Sequence, residues 1–195
     1  MTKEELKRCL WPTFGDELYL NYHDKEWGVP LHDDRKIYEF LVLETFQAGL
    51  SWRTVLHKRI NFEKAFVKFD FHKVSRFSKK DVAKLLKNAG IIRNRAKIEA
   101  AINNAQKLLE VRKEFGTFAK YMWSFVGDKP IQGRIRKLSD YKPYNSEAVV
   151  WAKDLKKRGF KFLGPTVIYS HMQAVGMIND HILDCYRHKQ LSKVR

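Results

Sequence analysis

The stretch "SKKDVAKLLKNAGIIRNRAKIEAAINNAQKLL", residues 78–109, contains two helical patterns around a short connection, and it decides the fold. Ser78 is a natural N-cap, and Asp81 three residues later completes the signature of a capping box. The first pattern predicts a helix that stops at Gly90, and the second predicts a helix that runs out by Gly116. Apolar residues recur at helical spacing on both sides: Val82, Leu85, Leu86 and Ala89, then Ile98, Ala101, Ile102, Ala105, Leu108 and Leu109.

The connection between these two helices has two interpretations. A tight, glycine-containing turn at Gly90 can point the free N–H groups of the second helix at a phosphate, as a helix–hairpin–helix DNA-binding element does. Arg93, Arg95 and Lys97 then add positive charge to the contact. The alternative is an ordinary helical corner with solvated basic residues, and the pattern alone leaves both open.

The rest of the chain is also predicted to be helical. We expect one helix over residues 146–158, stopped by Gly159, and another that starts after the possible cap Thr166. The polar, proline-containing residues 127–145 predict a loop, and no segment alternates as a strand does. The expected fold is all-α, with residues 1–195 forming a single globular domain or two small helical lobes.

Composition narrows the class of protein. Apolar residues make up 44% and aromatic residues 13% of the 195 residues, which indicates a globular rather than a disordered chain. Lys and Arg number 38 against 22 Asp and Glu, a net charge of +16 that favours a nucleic-acid partner over ribosomal or membrane-surface association. No apolar run approaches the roughly 20 residues of a membrane helix, and the N-terminus lacks a secretory pattern. We expect a soluble, cytoplasmic protein that does not bind membranes.

Two pairs of metal-ligating residue types lie near opposite ends of the sequence. Cys9 and His23 form the first pair, and "NDHILDC" at residues 179–185 supplies His181 and Cys185. A spacing of four residues on a helix would turn His181 and Cys185 to the same face. Together the four residues could form a closed tetrahedral Cys2His2 zinc site that clasps the two ends of the chain. The alternative is a core histidine with two buried, inert thiols or a disulfide.

Five blocks of the sequence then carry a family resemblance. They are "YHDKEWGVP", "LETFQAGLSWRTVLHKR", "NAGIIRNRAKIEAAINNA", "LKKRGFKFLGPT" and "YSHMQAVGMINDH". In this order the chain resembles the 3-methyladenine DNA glycosylase I family from about Cys9 to His188. The resemblance implies a helix–hairpin–helix glycosylase that excises alkylated adenine from double-stranded DNA and releases free 3-methyladenine.

The resemblance also assigns the metal. It implies one structural Zn²⁺ per chain on Cys9, His23, His181 and Cys185, holding the two ends together and remote from the chemistry.

The proposed chemistry agrees with residues of the two N-terminal blocks. N3-methyladenine in DNA is cationic, and aromatic faces and a carboxylate both favour a positive ring. The sequence supplies Tyr22, Trp27 and Trp52 as aromatic walls and Glu44 as the carboxylate. The resemblance implies that the glutamate hydrogen-bonds the adenine edge and that the three aromatic residues line the pocket. A lone glutamate inside the apolar segment "FLVLETF" is unusual enough to favour a site over a surface position. The expected core residues are Trp11 and Trp123.

The expected reaction is monofunctional hydrolysis by a monomer, with Glu44 as the catalytic residue. The helix after the connection contains Glu99 but no aspartate over residues 98–109, and no motif for a lysine nucleophile is present. The methylated base is already a good leaving group, so base binding supplies much of the rate enhancement.

Two other functions remain open. One is a lesion-binding protein that does not cleave DNA. The other is a metal-dependent nuclease, for which "HDD" at residues 32–34 is the nearest candidate and a helix cap the simpler explanation.

Overall fold

The computed structural model describes residues 6–12 and 15–193 of the chain. Over these residues it is mostly helical, with short 3₁₀ turns at Val67–Phe69 and Leu138–Asp140. The α-helices are α1 Glu17–Lys25, α2 Asp34–Gln47, α3 Trp52–Leu56, α4 Arg59–Ala65, α5 Phe71–Val74, α6 Lys79–Lys87, α7 Arg95–Phe115, α8 Phe118–Ser124, α9 Ser146–Lys157, α10 Pro165–Ala174 and α11 Tyr186–Leu191. No described helix has the length and apolar character needed to cross a membrane.

Helix α2 is the centre of the core. Every residue from Ile37 to Phe46 is buried, because α2 packs against α7 on one side and α10 on another. The hydroxyl of Tyr38 donates to the carbonyl of Ala101 on α7 at 2.9 Å. A helix that is covered on most sides places any polar residue it carries inside the protein. Glu44 is such a residue.

Helices α6 and α7 confirm the predicted pair. The Ser78 hydroxyl accepts from the Asp81 N–H, and the Asp81 carboxylate accepts in return from Ser78 N–H, so the capping box is complete. Gly116 ends α7 with φ +85°, a left-handed conformation that glycine adopts without steric strain.

The predicted stop at Gly90 is wrong. Helix α6 ends at Lys87, and Asn88 follows with an extended backbone (φ −80°, ψ 104°). Gly90 does not have a positive φ, and its N–H donates to the Asn88 side chain at 2.9 Å. A Cβ atom at position 90 would lie 3.1 Å from Cγ of Asn61. The turn therefore packs too closely on Asn61 for a larger residue to fit without a shift. The Asn94 side chain then caps α7 by accepting from the Lys97 N–H.

Two strands are present where an all-α fold was expected. Ile131–Gln132 (β1) and Ile178–Asn179 (β2) pair in parallel, with Ile131 opposite Ile178. Each strand has only two residues, too few for the alternating pattern that reveals a strand in a sequence.

Helices α9 and α10 differ in how well they were predicted. Helix α9 ends as expected, at Lys157, and Gly159 follows with φ +86°. Helix α10 begins two residues earlier than expected: Gly164 is the N-cap and Pro165 occupies N1, so Thr166 is already helical.

Candidate functional site

A cavity of about 250 Å³ opens beside α2, between α1, α3 and α10. This volume suits one flat ring system, because the pockets that bind drug-sized ligands measure roughly 300–1,000 Å³. All four residues predicted for base binding line it. The full lining is Trp11, Tyr19, Tyr22, Trp27, Glu44, Gln47, Trp52, Leu138, Tyr141, Ser170 and Gln173.

The walls of the cavity are aromatic. The rings of Tyr22 and Trp52 lie 5.2 Å apart, and those of Trp11 and Trp27 lie 5.0 Å apart. Tyr22 is fully enclosed, and its burial raises the pKa of its phenol. Trp11, expected in the core, is instead half-buried against the cavity, whereas Trp123 is in the core as predicted. Such walls can hold a flat cationic ring between their faces.

Glu44 provides a titratable carboxyl group inside the cavity. It is 4% exposed, and desolvation by burial raises the pKa of its carboxyl to about 8. Within the described residues it makes no ion pair. Glu39, also buried on α2, differs because its carboxylate accepts from Arg59 Nε at 2.7 Å and from Lys36 Nζ at 2.9 Å. A buried carboxyl without a cationic partner marks a candidate binding site.

Three polar residues of the cavity were missed in the sequence. Gln47 lies one turn after Glu44 on α2, and Ser170 and Gln173 lie one turn apart on α10. The i,i+3 spacing from Glu44 to Gln47 was a signal that could have found one of them. The amide of Gln173 donates to Asp180 at 2.8 Å, which fixes its orientation.

The cavity continues toward the surface. A second hollow of about 160 Å³ shares Glu44, Gln47 and Ser170 with it, and residues 48–50 and the first turn of α10 complete its lining. Helix α2 ends at Gln47, and Gly49 follows with φ +80°, so the chain breaks here as a glycine permits. A ligand can therefore approach Glu44 through this outer hollow, whose rim is formed by residues 48–50 and the first turn of α10.

Cys9, His23, His181 and Cys185 converge into one buried cluster. Their four ligand atoms lie within 4.8 Å of one another. His181 Nδ1 lies 3.4 Å from Cys9 Sγ and 3.5 Å from Cys185 Sγ, and His23 Nε2 lies 3.6 Å from Cys185 Sγ. Zinc bonds of about 2.3 Å to sulfur and about 2.0 Å to nitrogen put the S···N edges of a tetrahedron at about 3.5 Å. The donor set and its spacing fit a tetrahedral metal, and the two thiols form no disulfide.

The hydrogen bonds around the cluster leave one ring nitrogen of each histidine free to bind a metal. His23 Nδ1 lies 2.8 Å from the Asp24 carboxylate, and His181 Nε2 lies 3.0 Å from the carbonyl of Trp27. A proton on each of these atoms leaves His23 Nε2 and His181 Nδ1 as acceptors toward the cluster, the arrangement found around protein-bound metals.

Two expectations about this cluster are wrong. Residues 181–185 are not helical, but form a turn between β2 and α11, and this turn brings His181 and Cys185 together. The cluster is also not remote from the cavity. The Trp27 ring lies 4.5 Å from the His181 ring, and the Trp11 ring lies 5.2 Å from the His23 ring. Because both tryptophans line the cavity, the cluster supports its aromatic wall from behind.

The residues predicted for DNA contact divide into two groups. Arg93 and Arg95 are exposed at the start of α7, with a 3.4 Å contact from Arg95 to Glu99, and Gly90 lies in the turn. Lys97 differs from the prediction: it is buried, and its ammonium donates to the carbonyls of Phe46 and Ala48 at 3.0 and 2.5 Å. Burial lowers its pKa. Its charge therefore lies inside the protein, where the ammonium group holds the end of α2 against α7.

Fold and cavity together define a helical protein with an aromatic, carboxylate-bearing pocket for a single flat ring. The family profile described as "Methyladenine glycosylase" matches residues 11–188. The chain is 46% identical to DNA-3-methyladenine glycosylase 1 of Escherichia coli (strain K12), over 92% of this chain and 96% of that protein. The chain belongs to the methyladenine glycosylase family.

Solved structures extend this similarity to the fold. A crystal structure of 3-methyladenine DNA glycosylase I superposes with a TM-score of 0.89 at 46% identity, covering 92% of this chain and 98% of the other. The enzyme from Staphylococcus aureus, studied for its recognition of 3-methyladenine, superposes with a TM-score of 0.88 at 39% identity, covering 93% and 96%. The helical core therefore has the fold of these glycosylases.

Proposed function

We propose that this protein is a base-excision repair DNA glycosylase that hydrolyses the N-glycosidic bond of 3-methyladenine in alkylated DNA. The observation that carries the proposal is Glu44: a buried carboxyl without a described cationic partner, inside an aromatic cavity, in a chain of the methyladenine glycosylase family. Relatives that bear the name of this activity share 42–46% of its residues.

Recognition of the base rests on charge and shape. Glu44 is buried, so a base that remains stacked in a duplex does not reach its carboxyl, and the nucleotide must rotate out to enter the cavity. Tyr22, Trp27 and Trp52 surround the ring, and their π-faces favour the positive charge of N3-methyladenine. Glu44 accepts hydrogen bonds from the edge of the base. Unmodified adenine is neutral, so the aromatic faces and Glu44 stabilise its binding less.

Excision needs one bond to break and water to take its place. The electron pair of the C1′–N9 bond moves to the base and neutralises its positive ring, while a water oxygen bonds to C1′ and releases a proton. Because the cationic base leaves readily, the enzyme contributes mainly by holding the extruded nucleotide and by placing Glu44 against the base.

A monofunctional reaction is supported by the lining of the cavity. A lyase step uses an amine, most often that of a lysine, to attack C1′ of the sugar. Among the described residues, no lysine lines the cavity or the outer hollow. Lys97 contacts the backbone carbonyls of Phe46 and Ala48 instead. We therefore assign hydrolysis without strand cleavage.

We assign zinc to the cluster of Cys9, His23, His181 and Cys185. The four donors fit its preferred ligands and coordination number. A metal there closes the two ends of the chain over the backs of Trp11 and Trp27. Its role is structural, because the four protein ligands leave no position for water or substrate.

The grip on DNA is assigned to a helix–hairpin–helix element made of α6, the turn at Gly90 and the start of α7. Arg93 and Arg95 provide exposed positive charge there, and the net charge of +16 supports a phosphate partner. We propose that residues 1–195 act as one domain and as a monomer, inside the cell with the DNA.

Product analysis tests this function. The purified protein is incubated with a duplex that contains alkylated adenine, and free base and strand breaks are measured separately. We expect 3-methyladenine release without breaks, and Glu44→Ala should release much less.

The same assay separates the two other candidate functions. Release of no base with retained binding would indicate a lesion-binding protein. Breaks without free base would indicate a nuclease, which the structure does not favour: Asp33 caps α2, and Asp34 accepts from the N–H groups of Phe118 and Ala119.

A further inference from the structure

The loop between α9 and α10, residues 158–164, is held on α7 by two asparagines. The Asn104 side chain accepts from Lys161 N–H at 2.8 Å and donates to Lys161 C=O at 2.9 Å. Asn103 donates to the carbonyl of Gly159 at 2.9 Å. Asn104 is 2% exposed, and a buried amide that loses its hydrogen-bond partners destabilises the protein.

This loop presents one aromatic side chain to solvent. Phe162 is 44% exposed, while Phe160 and Leu163 on either side are each 6% exposed. Its φ of +61° is left-handed, a conformation that is unfavourable for a bulky residue and persists only where the surroundings enforce it. The bonds from Asn104 to the preceding residue supply that enforcement. The hydrogen bonds of the loop therefore hold the apolar ring of Phe162 in a position exposed to solvent.

The loop leads directly into the rim of the outer hollow. Four residues after Phe162, Thr166 lines this hollow together with Glu44 and Leu50. Ala48, in the same lining, is tied to α7 by the Lys97 ammonium. Residues 48–50 and the first turn of α10 therefore form the rim beside Glu44, and Phe162 precedes that turn by three residues.

Exposed lysines accompany the ring. Lys156, Lys157 and Lys161 are exposed near Phe162, and none of the ion pairs among the described residues involves them. A rigid aromatic ring flanked by free positive charge is the combination that binds unstacked nucleotides, because stacking and phosphate contacts then act together.

We propose that Phe162 packs on the DNA beside the extruded nucleotide, with its ring against a base or sugar face that loses its neighbour when the nucleotide leaves the stack. The proposal rests on the glycosylase function above. It makes Phe162 a positioning residue: it touches neither the flipped base nor Glu44, but stabilises the duplex with its nucleotide rotated out. Its contribution should appear on gapped or abasic DNA and be small on an intact duplex.

The test compares three ligands for wild type and Phe162→Ala: a duplex with a stable abasic-site analogue, the same duplex intact, and free 3-methyladenine. Loss of a base-stacking aromatic weakens binding by roughly 5- to 150-fold, so we expect that loss on the abasic duplex. We expect less than a twofold change on the intact duplex and none for the free base. Phe162→Trp should keep the abasic-duplex affinity.

Val67→Ala is the matched control, because Val67 is also exposed, apolar and left-handed (φ +51°) but follows α4, outside this rim. It should bind all three ligands as wild type does. Phe162→Gly removes both the ring and the unfavourable φ, so it provides a folded variant if Phe162→Ala is unstable.

Equal affinity of wild type, Phe162→Ala and Phe162→Gly for the abasic duplex would overturn the proposal, and so would an equal loss on the intact duplex. The failure of the glycosylase function looks different. In that case wild type itself releases no base and does not prefer the abasic duplex.

Discussion

Replacing Glu44 by glutamine should stabilise the unliganded protein. Burial raises the pKa of the Glu44 carboxyl from 4.5 to about 8. Between pH 4.5 and pH 8 the unfolded chain has lost this proton while the folded protein keeps it. Stability therefore falls as the pH rises through this interval, because proton release favours the unfolded chain.

The magnitude follows from the width of the interval. Each pH unit costs about 1.4 kcal/mol, which makes the loss about 3 kcal/mol at pH 7 and about 4 kcal/mol at pH 8, where the folded carboxyl is half ionised. Glutamine never ionises and avoids this loss. For a chain of this length 1 kcal/mol corresponds to roughly 2–4 °C, so Glu44→Gln should raise Tm by about 6–12 °C at pH 7.

Thermal unfolding followed by circular dichroism at pH 5, 7 and 8 measures this effect. The difference between variant and wild type should be small at pH 5 and should grow toward pH 8. Glu39→Gln is the control, because Glu39 is buried on the same helix but paired with Arg59 and Lys36; that variant should be less stable than wild type. A Glu44→Gln variant that is no more stable than wild type, or equally stabilised at all three pH values, would refute the reasoning.

The remaining predictions concern the metal, the DNA grip and a buried histidine. The purified protein should contain about one zinc per chain, and Cys185→Ala should lower both the zinc content by elemental analysis and the Tm; metal-free protein of unchanged Tm would remove the zinc assignment. Arg93→Ala with Arg95→Ala should weaken binding to damaged and undamaged duplex alike and flatten its salt dependence, whereas a loss confined to damaged DNA would contradict the hairpin assignment. His171 is a buried residue of α10, and desolvation lowers its pKa to about 3. The free energy of unfolding should therefore fall as the pH drops below 6.5, by about 1.4 kcal/mol per pH unit from this residue. Urea titrations at pH 4–7 should show that His171→Phe loses this dependence.

Local signals in the sequence predicted the helices best. Ser78 and Asp81 predicted the start of α6 because a capping box needs only residues near in sequence. Gly116 and Gly159 predicted helix ends, and both have a positive φ. The end of α6 and the start of α10 were local signals that were misjudged. Other failures depend on distant contacts, which no local pattern encodes.

Two residues illustrate those failures. Lys97 has the charge of a DNA contact, but the end of α2 offers it two carbonyls 49 and 51 residues away in sequence. Trp11 has the size of a core residue, but its ring packs against those of His23 and Trp27 beside the cavity, 12 and 16 residues away in sequence.

The sequence singled out four of the residues that line the cavity but not their polar neighbours. Glu44 was conspicuous because it interrupts the apolar segment "FLVLETF", and it is buried in the cavity. Ser170 and Gln173 were missed because α10 reaches the cavity only through tertiary packing. The His181–Cys185 spacing suggested a shared helical face, whereas a turn after β2 brings the two side chains together.

The central claim is that the cavity around Glu44 holds the excised base. Calorimetric titration of free 3-methyladenine into wild type, Glu44→Gln, Glu44→Ala and Trp52→Ala tests it most directly. A hydrogen bond to a charged group contributes roughly 1.5–3 kcal/mol, so Glu44→Gln should bind at least several-fold more weakly and Glu44→Ala more weakly still. Trp52→Ala should lose roughly 1–3 kcal/mol of stacking. Wild-type affinity in all three folded variants would mean that the base binds elsewhere, and the assignment of this cavity would be wrong.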